Sequence, residues 1–512
     1  MASTDIIILD FGSQTTHLIA RRIKEAGVSV KILPPDTSLD QLLTENPRGF
    51  ILSGGPASVY NKRAPQCNPQ IFQSGIPILG ICYGLQLLTY LLEGRVEKGL
   101  KKEYGPANLQ IASGKWQIAD GLPENMHVWM SHGDKVVKLP KDFEIIGSTK
   151  HSPFTFVGDE QRKIYGVQFH PEVSHTPQGD MIFKNFVFNI CHCQKKKKKT
   201  ISIKNLVLDI NNQIGGKKAI CALSGGIDSA VAAVLVNRTI GKNLICFYVD
   251  TGLMRQSETE QIITTFKKYF HLNLKIIKAE KIFLQKLKGL SDPEKKRKII
   301  GETFIRIFEN EAQKLGKVSF LVQGTIYPDI IESQGTPGAD KIKSHHNVGG
   351  LPKKHGFKLI EPLRSFYKDE VRILAQKLGF PKDLIWRQPF PGPGLAIRIM
   401  GEVTAQKLKI LKSADLIVCQ EIEKAGLVQK LWMFFAILTG VRTTAVMGDA
   451  RAYGETIALR IIESKDAMTA NFARLPYPFL EKISARIINE VPGVSRIVYD
   501  ITTKPPATME WE

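Results

Sequence analysis

Ile76-Pro77-Ile78-Leu79-Gly80-Ile81-Cys82-Tyr83-Gly84-Leu85 decides the architecture of the front of this chain. An apolar run without polar alternation reads as a strand buried on both faces, the mark of a parallel sheet covered by helices. Gly80 and Gly84 bracket a cysteine and permit a tight strand-to-helix turn that presents its sulfur. Ile6-Ile7-Ile8-Leu9 and Gly49-Phe50-Ile51-Leu52 repeat the apolar pattern, with amphipathic stretches between them. Further on, Tyr165-Gly166-Val167-Gln168-Phe169 reads as a strand that feeds His170-Pro171-Glu172.

A second series of the same kind starts after residue 200. Lys218-Ala219-Ile220-Cys221-Ala222-Leu223 is a strand, Ser224-Gly225-Gly226-Ile227-Asp228-Ser229 a turn, and Ala230 to Val236 a helix of small residues. Leu244 to Val249 is a strand ending at Asp250-Thr251-Gly252, and Ser319 to Val322 another, ending at Gln323-Gly324-Thr325. Ligands of open parallel sheets bind beyond the carboxyl ends of the strands, so these three turns are expected to converge on one crevice. Pro389-Phe390-Pro391-Gly392-Pro393-Gly394 admits no helix. The expected fold class is therefore α/β. It comprises an N-terminal α/β domain over residues 1–194, a central doubly wound parallel-sheet domain over 195–390, and a smaller C-terminal α+β domain over 391–512.

Bulk properties agree with a globular chain of several domains: 512 residues, 43% hydrophobic and 23% charged. The net charge of +21 raises the question of nucleic acid. The lysine block Lys195–Lys199 reads as a solvated linker, and no CxxC pair or RNA-binding motif accompanies it, so nucleic acid is not an expected partner. Seven scattered cysteines do not make a disulfide framework. Cys191-His192-Cys193 lacks a second ligand pair at zinc-site spacing. No run approaches a membrane span, and the first ten residues lack the basic region of a signal peptide. The expectation is a cytoplasmic protein with no membrane contact.

Cys82, at a helix N-terminus, is placed to act as a nucleophile. His170 would be its base, and Glu172 would orient the imidazole and stabilise its charged form. The tetrahedral oxyanion needs donors already in place, which the amides of Gly55, in Ser53-Gly54-Gly55-Pro56, and Tyr83 can supply. A cysteine at a strand end is ordinarily a small buried residue. The His-Pro-Glu and diglycine turns set Cys82 apart from Cys67, Cys221, Cys246 and Cys419, which read as structural. These residues resemble the class I glutamine amidotransferases over about residues 5 to 190, including Asp10-Phe11-Gly12-Ser13-Gln14 and Ser131-His132-Gly133-Asp134. The resemblance implies that Cys82, His170 and Glu172 form a glutamyl thioester and release ammonia, with Gln86, Ser131 and His132 around the glutamine.

The Ser224–Ser229 turn offers unhindered N–H groups, two hydroxyls and a helix dipole, which suit a phosphate. It lacks the Gly-Lys-Ser/Thr ending of a Walker A loop. Holding a pyrophosphate leaving group while the α-phosphorus is attacked is the more natural use, with Mg²⁺ to offset charge and Asp228 as its candidate ligand. The motif resembles the ATP pyrophosphatase family. That resemblance implies ATP contacts from Ser224, Gly225, Gly226, Ile227, Asp228, Ser229, Ala230, Val249 and Gly324.

Longer strings narrow the substrate. They are Asp292 to Gly301, Gln323 to Ser333, Ile342 to Pro352, Phe390 to Arg398, and the tail Lys504-Pro505-Pro506-Ala507-Thr508-Met509-Glu510-Trp511-Glu512. With the amidotransferase in front, the chain resembles the glutamine-hydrolysing GMP synthases. The resemblance implies a ligase of purine biosynthesis. It would adenylylate the purine C2 oxygen of xanthosine monophosphate with ATP, and ammonia would then displace AMP to give GMP. It places Arg297, Lys504, Met509 and Glu510 around xanthosine monophosphate and implies a homodimer through the C-terminal domain. An anionic nucleotide also wants cations, which Arg297, Arg496 and Lys504 supply, while Lys343 can meet developing phosphate charge and Asp329 and Glu332 can hold Mg²⁺ or orient the purine. Three residues depart from the family pattern. Met433 stands for a frequent glutamine, Gln388 for a histidine and Met509 for an isoleucine.

Overall fold

The computed structural model describes residues 4–13, 15–112, 114, 116–196, 201–316, 318–327, 329–330, 357–447, 450–464, 469–504 and 506–512. Glu332 and Lys343, with Gln14 and residues 197–199 of the lysine block, lie outside the described residues. The chain divides after residue 200 into two compact units.

The first unit is built on a nine-stranded sheet. Its strands are β1 (Ile6–Leu9), β2 (Val30–Leu33), β3 (Gly49–Leu52), β4 (Ile78–Ile81), β5 (Arg95–Ile111), β6 (Asn125–Lys138), β7 (Glu144–Ser148), β8 (Phe156–Asp159) and β9 (Ile164–Val167), in the order β2-β1-β3-β4-β9-β8-β7-β5-β6. The expected parallel sheet is one half of it: β2, β1, β3, β4 and β9 run parallel, and β1, β3, β4 and β9 are fully buried. The other half is antiparallel. There β6 buries alternate residues, as a strand covered on one face does, so its sequence carries no continuous apolar run. The start of the lysine block is not free linker. Lys196 Nζ donates to Asp5 Oδ2 at 2.7 Å, and its backbone N–H to the Gly27 carbonyl at 2.8 Å.

The second unit holds five parallel strands: β10 (Ala219–Ala222), β11 (Leu244–Asp250), β12 (Leu274–Lys278), β13 (Phe320–Val322) and β14 (Lys358–Ile360). Their order, β12-β11-β10-β13-β14, places the reversal of winding between β10 and β13. That is where an open α/β sheet leaves a crevice beyond its carboxyl ends. The helix Ile227–Ile240 starts inside the Ser-Gly-Gly-Ile-Asp-Ser turn, and Ser229 to Val236 are buried along it.

Beyond residue 391, β15 (Met433–Met447), β16 (Ala450–Glu463), β17 (Asn471–Phe472) and β18 (Val494–Tyr499) form a second sheet beside the helices Ala405–Lys424 and Tyr477–Glu490. One hydrophobic core crosses residue 391: Val249, Leu253 and Phe283 pack in the same cluster as Leu395, Leu411 and Ile483. Glu421, 1% exposed, clips the two helices together. It accepts from Lys482 at 2.7 Å and from Arg486 at 2.7 Å. The Lys482 bond, aided by Arg486 and Lys424 and opposed by burial, holds its carboxyl down at about 2. A depressed carboxylate contributes stability that is present above its unfolded value of 4.5 and lost as pH falls towards about 2. Glu421→Gln is expected to lower the melting temperature at pH 7, and the gap to wild type to narrow steadily between pH 5 and pH 2. A gap independent of pH rules this out.

Candidate active sites

Cys82 closes β4 and precedes the helix Tyr83–Leu91, with φ 52° and ψ −104°. A non-glycine residue there is strained, and surrounding structure must hold it. Its N–H donates to the Val167 carbonyl of β9 at 2.7 Å. The flanking glycines are required by close approach. A Cβ on Gly80 would lie 2.5 Å from Leu88 Cδ2 and 2.7 Å from the Gly84 carbonyl, and one on Gly84 would collide with the Leu52 carbonyl. The elbow is thus pressed against β3, and the sulfur is left at the carboxyl edge of the parallel half-sheet.

His170 follows β9, next to β4. Its N–H donates to the Trp129 carbonyl at 3.0 Å, and its own carbonyl accepts from Thr176 Oγ1 at 2.7 Å. Nδ1 donates to Glu172 Oε1 at 2.7 Å, and Glu172 is fully buried. Burial pulls the imidazole down, but the Glu172 carboxylate and the Cys82 sulfur outweigh it and raise its pKa well above the ordinary histidine value. The sulfur therefore faces an imidazole whose charged form is favoured. Arg22 Nε donates to the Glu172 carbonyl at 3.0 Å and fixes this turn to the first helix of the unit.

Of the remaining amidotransferase-like residues, Ser131 reaches the same sulfur and the others are tied to its neighbours. A Cβ on Gly55 would sit 2.6 Å from the Phe11 carbonyl and 3.3 Å from Tyr83 Cγ, and one on Gly54 would sit 3.4 Å from His170 Cε1. The diglycine turn thus lies between the elbow and the imidazole. Ser131 brings its carbonyl within 3.7 Å of Cys82 Sγ. Gln86 is buried and donates to the Asp134 carbonyl at 2.9 Å. His132 Nδ1 donates to the same carbonyl at 2.9 Å, and burial pushes its pKa down. Two residues escaped the sequence reading. Gln168 Nε2 donates to Cys82 Sγ at 3.7 Å, and Glu103 Oε2 lies 2.9 Å from His132 Nε2. Gln168 lies inside the quoted strand and could have been picked out as its last polar residue before His170. Glu103 had no such signal.

In the second unit, the loop after β10 is drawn tight by its own hydroxyls. Ser224 Oγ and Ser229 Oγ lie 3.0 Å apart, and the Gly226 N–H donates to Ser224 Oγ at 3.3 Å. Gly225 has φ +79°, and its carbonyl accepts from Arg387 Nη1 at 2.7 Å. Gly324, after β13, packs on the loop: a Cβ there would lie 2.5 Å from the Ser229 amide nitrogen. Two of the three expected turns therefore meet across the reversal of winding. Asp228 Oδ2 pairs with Lys368, while Oδ1 is buried with no hydrogen-bond partner. Val249, next to last in β11, is buried, and Ile227 and Ala230 are buried in the helix.

The nucleotide candidates are mostly held in place by other residues. Arg297 pairs with Glu294 and bonds to the Glu512 carbonyl, and Lys296, fully buried, donates to Glu512 Oε2 at 3.0 Å and to the Ile399 carbonyl at 2.7 Å. Glu510 receives both arms of the buried Arg398 at 2.9 Å each. Arg460, also buried, donates to the carbonyls of Thr508 and Met509. The tail is thus folded over buried cations, which the sequence reading missed because their partners lie far along the chain. Lys504 pairs with Ala470 by backbone bonds, Asp329 Oδ2 accepts from the Ile326 N–H at 2.9 Å, and Arg496 is exposed on β18. Met433 is buried and shares a cluster with Met509, so two of the three departures from the family pattern pack together. The third, Gln388, uses Oε1 to accept from the Phe434 N–H at 2.9 Å.

Three known families match separate segments of the chain. Residues 7–190 match the class-I glutamine amidotransferase family, residues 200–303 the NAD synthase family, and residues 420–511 the GMP synthase C terminal domain. The GMP synthase [glutamine-hydrolyzing] of Syntrophomonas wolfei is 51% identical over 512 residues, covering 100% of both chains. That of Heliobacterium modesticaldum is 54% identical over 508 residues, and that of Caldanaerobacter subterraneus 52% over 507, each covering 99% of both chains.

Proposed function

The chain belongs to the glutamine-hydrolysing GMP synthase family, and from that premise we propose how its residues divide the work. The enzyme is a ligase. It hydrolyses glutamine to ammonia, adenylylates xanthosine monophosphate with ATP, and aminates it to GMP with release of AMP and pyrophosphate.

Cys82 attacks the glutamine amide, and His170 carries the proton to the departing ammonia, held in one tautomer by Glu172. The amides of Gly55 and Tyr83 receive the oxyanion. Gln86, Ser131 and His132 surround the substrate. The observation that carries this reading is the strained Cys82 elbow beside a His170–Glu172 bond of 2.7 Å.

In the second unit the Ser224–Ser229 loop, with Ala230, Val249 and Gly324 around it, holds ATP. The donor set fits a Mg²⁺ that arrives with the nucleotide. Asp228 offers one buried, unpartnered carboxylate oxygen, and no group of three acidic or metal-ligating side chains stands ready among the described residues. Mg²⁺ supplies charge compensation on the pyrophosphate. Lys368, paired with Asp228, adds a cation beside the same phosphates. Xanthosine monophosphate is taken by Arg297, Arg496, Lys504, Met509 and Glu510, Lys343 meets the developing phosphate charge, and Asp329 and Glu332 hold Mg²⁺ or orient the purine. The working limits of the three domains are 1–194, 195–390 and 391–512. The C-terminal sheet, which exposes Val446, Tyr453 and Val498, joins two chains in a homodimer. Seven free cysteines suit a reducing cytoplasm.

The test is incubation with ATP, Mg²⁺, xanthosine monophosphate and glutamine. GMP, AMP, pyrophosphate and glutamate should appear in equal amounts. Glutamate without GMP overturns the reading.

A further inference from the structure

Glu103 and His132 face each other directly across the β5–β6 hairpin. The pairing register slips between Lys98 and Glu103, where five steps along β5 answer two along β6. An irregularity of this kind re-aims a side chain, and here it lies opposite Ser131–Asp134, the strand segment that touches Cys82. Both side chains are largely buried, at 15% exposed for Glu103 and 5% for His132.

The proton count at this contact is constrained. His132 Nδ1 lies 2.9 Å from the Asp134 carbonyl, which can only accept, so Nδ1 carries a proton. A neutral ring would then turn the Nε2 lone pair towards a carboxylate oxygen only 2.9 Å away. Neither Nε2 nor Oε2 has a hydrogen-bond partner elsewhere. Two buried acceptors at that distance repel, so one further proton must lie between them, on the ring or on the carboxyl. His132 is then gripped at both nitrogens. Its ring cannot turn without breaking two bonds, and the backbone of Ser131 beside Cys82 is held with it.

We propose that Glu103 is a positioning residue of the glutaminase site, which fixes the His132 ring through one shared proton and so sets the affinity for glutamine. The inference rests on the amidotransferase reading above. The ion pair of Glu103 is with His132, and the bonds of Cys82 and His170 go to other residues, so its removal acts on substrate binding more than on the covalent step.

The test measures glutamate release by the full-length enzyme with ATP and xanthosine monophosphate present, for wild type, Glu103→Leu, Glu103→Gln, His132→Ala and the double variant Glu103→Leu/His132→Ala. Glutamine is gripped by other residues too, so the expected rise in KM for Glu103→Leu is about tenfold, with kcat within about threefold, the size of one lost hydrogen bond to a charged partner. Glu103→Gln restores most of the KM, because its amide N–H can donate to the neutral Nε2. The double variant is no worse than His132→Ala. Equal KM values for wild type and Glu103→Leu overturn the inference. So does a loss in Glu103→Leu that Gln does not repair, or that falls on kcat alone, since either marks a general structural role. A wild-type enzyme that releases no glutamate would instead overturn the amidotransferase reading.

Discussion

Cys82→Ala abolishes glutamine-dependent GMP formation and spares ammonia-dependent GMP formation. The expected loss with glutamine is about 10⁴-fold or more, the scale seen when the nucleophile of a covalent mechanism is deleted. With ammonium salts as nitrogen source at alkaline pH, the rate should stay within about twofold of wild type. Two features make the contrast sharp. Cys82 is buried in the core of the first unit, so alanine removes the sulfur and little else. The Ser224–Ser229 loop, proposed to hold ATP, belongs to the second unit. Alanine also keeps the Cβ and the strained backbone at φ 52°, so the elbow persists. Parallel assays with 15N-glutamine and 15N-ammonium read out both routes in one product. If ammonia fails to support GMP formation by this variant, the division of the chemistry between two units is wrong.

The reason so much of the first site was legible lies in how local its constraints are. Gly80 and Gly84 are demanded by atoms a few residues away or on the neighbouring strand, and an apolar run into a glycine-flanked cysteine states that demand in sequence. The same holds for the loop after β10, whose serines bond to each other within six residues. Glu103 is different. Its partner is 29 positions away, on a strand with alternating burial, and the contact depends on a slip in register that no periodicity reveals. Buried Lys296, Arg398 and Arg460 were hidden for a related reason. In sequence each is an ordinary cation, and only the folding back of residues 508–512 makes it a buried partner of the tail. Met433 and Met509 read separately as two departures, and their shared cluster shows them to be one packing feature. The central and C-terminal segments read as two domains, and one of the hydrophobic clusters of the second unit packs residues from both sides of the proline-rich break, which no local pattern announces.

Gly324→Ala gives the converse of the cysteine variant: GMP formation falls about 10²-fold with glutamine and with ammonia alike. A Cβ at this position would stand 2.5 Å from the Ser229 nitrogen, 2.6 Å from the Asp228 carbonyl carbon and 2.8 Å from the Ser229 Cα. All three are backbone atoms at the start of the helix Ile227–Ile240, so no flexible side chain can move aside. Either β13 or the loop must shift by several tenths of an ångström. In the proposed function this loop holds the phosphates of ATP, and a displacement approaching 1 Å costs a rate factor of about 10² in a pre-aimed site of that kind. Some global destabilisation accompanies it, on the order of 1–3 kcal/mol for overpacking. The measurement therefore pairs turnover with ATP affinity by calorimetry at a temperature well below the melting transition. The expected variant is folded, binds ATP at least tenfold more weakly, and still releases glutamate at the basal wild-type rate measured without nucleotide, because the Cys82 site lies in the other unit. GMP formation within threefold of wild type would show that the loop does not hold ATP in the arrangement described, and would move the phosphate site away from the junction of β10 and β13.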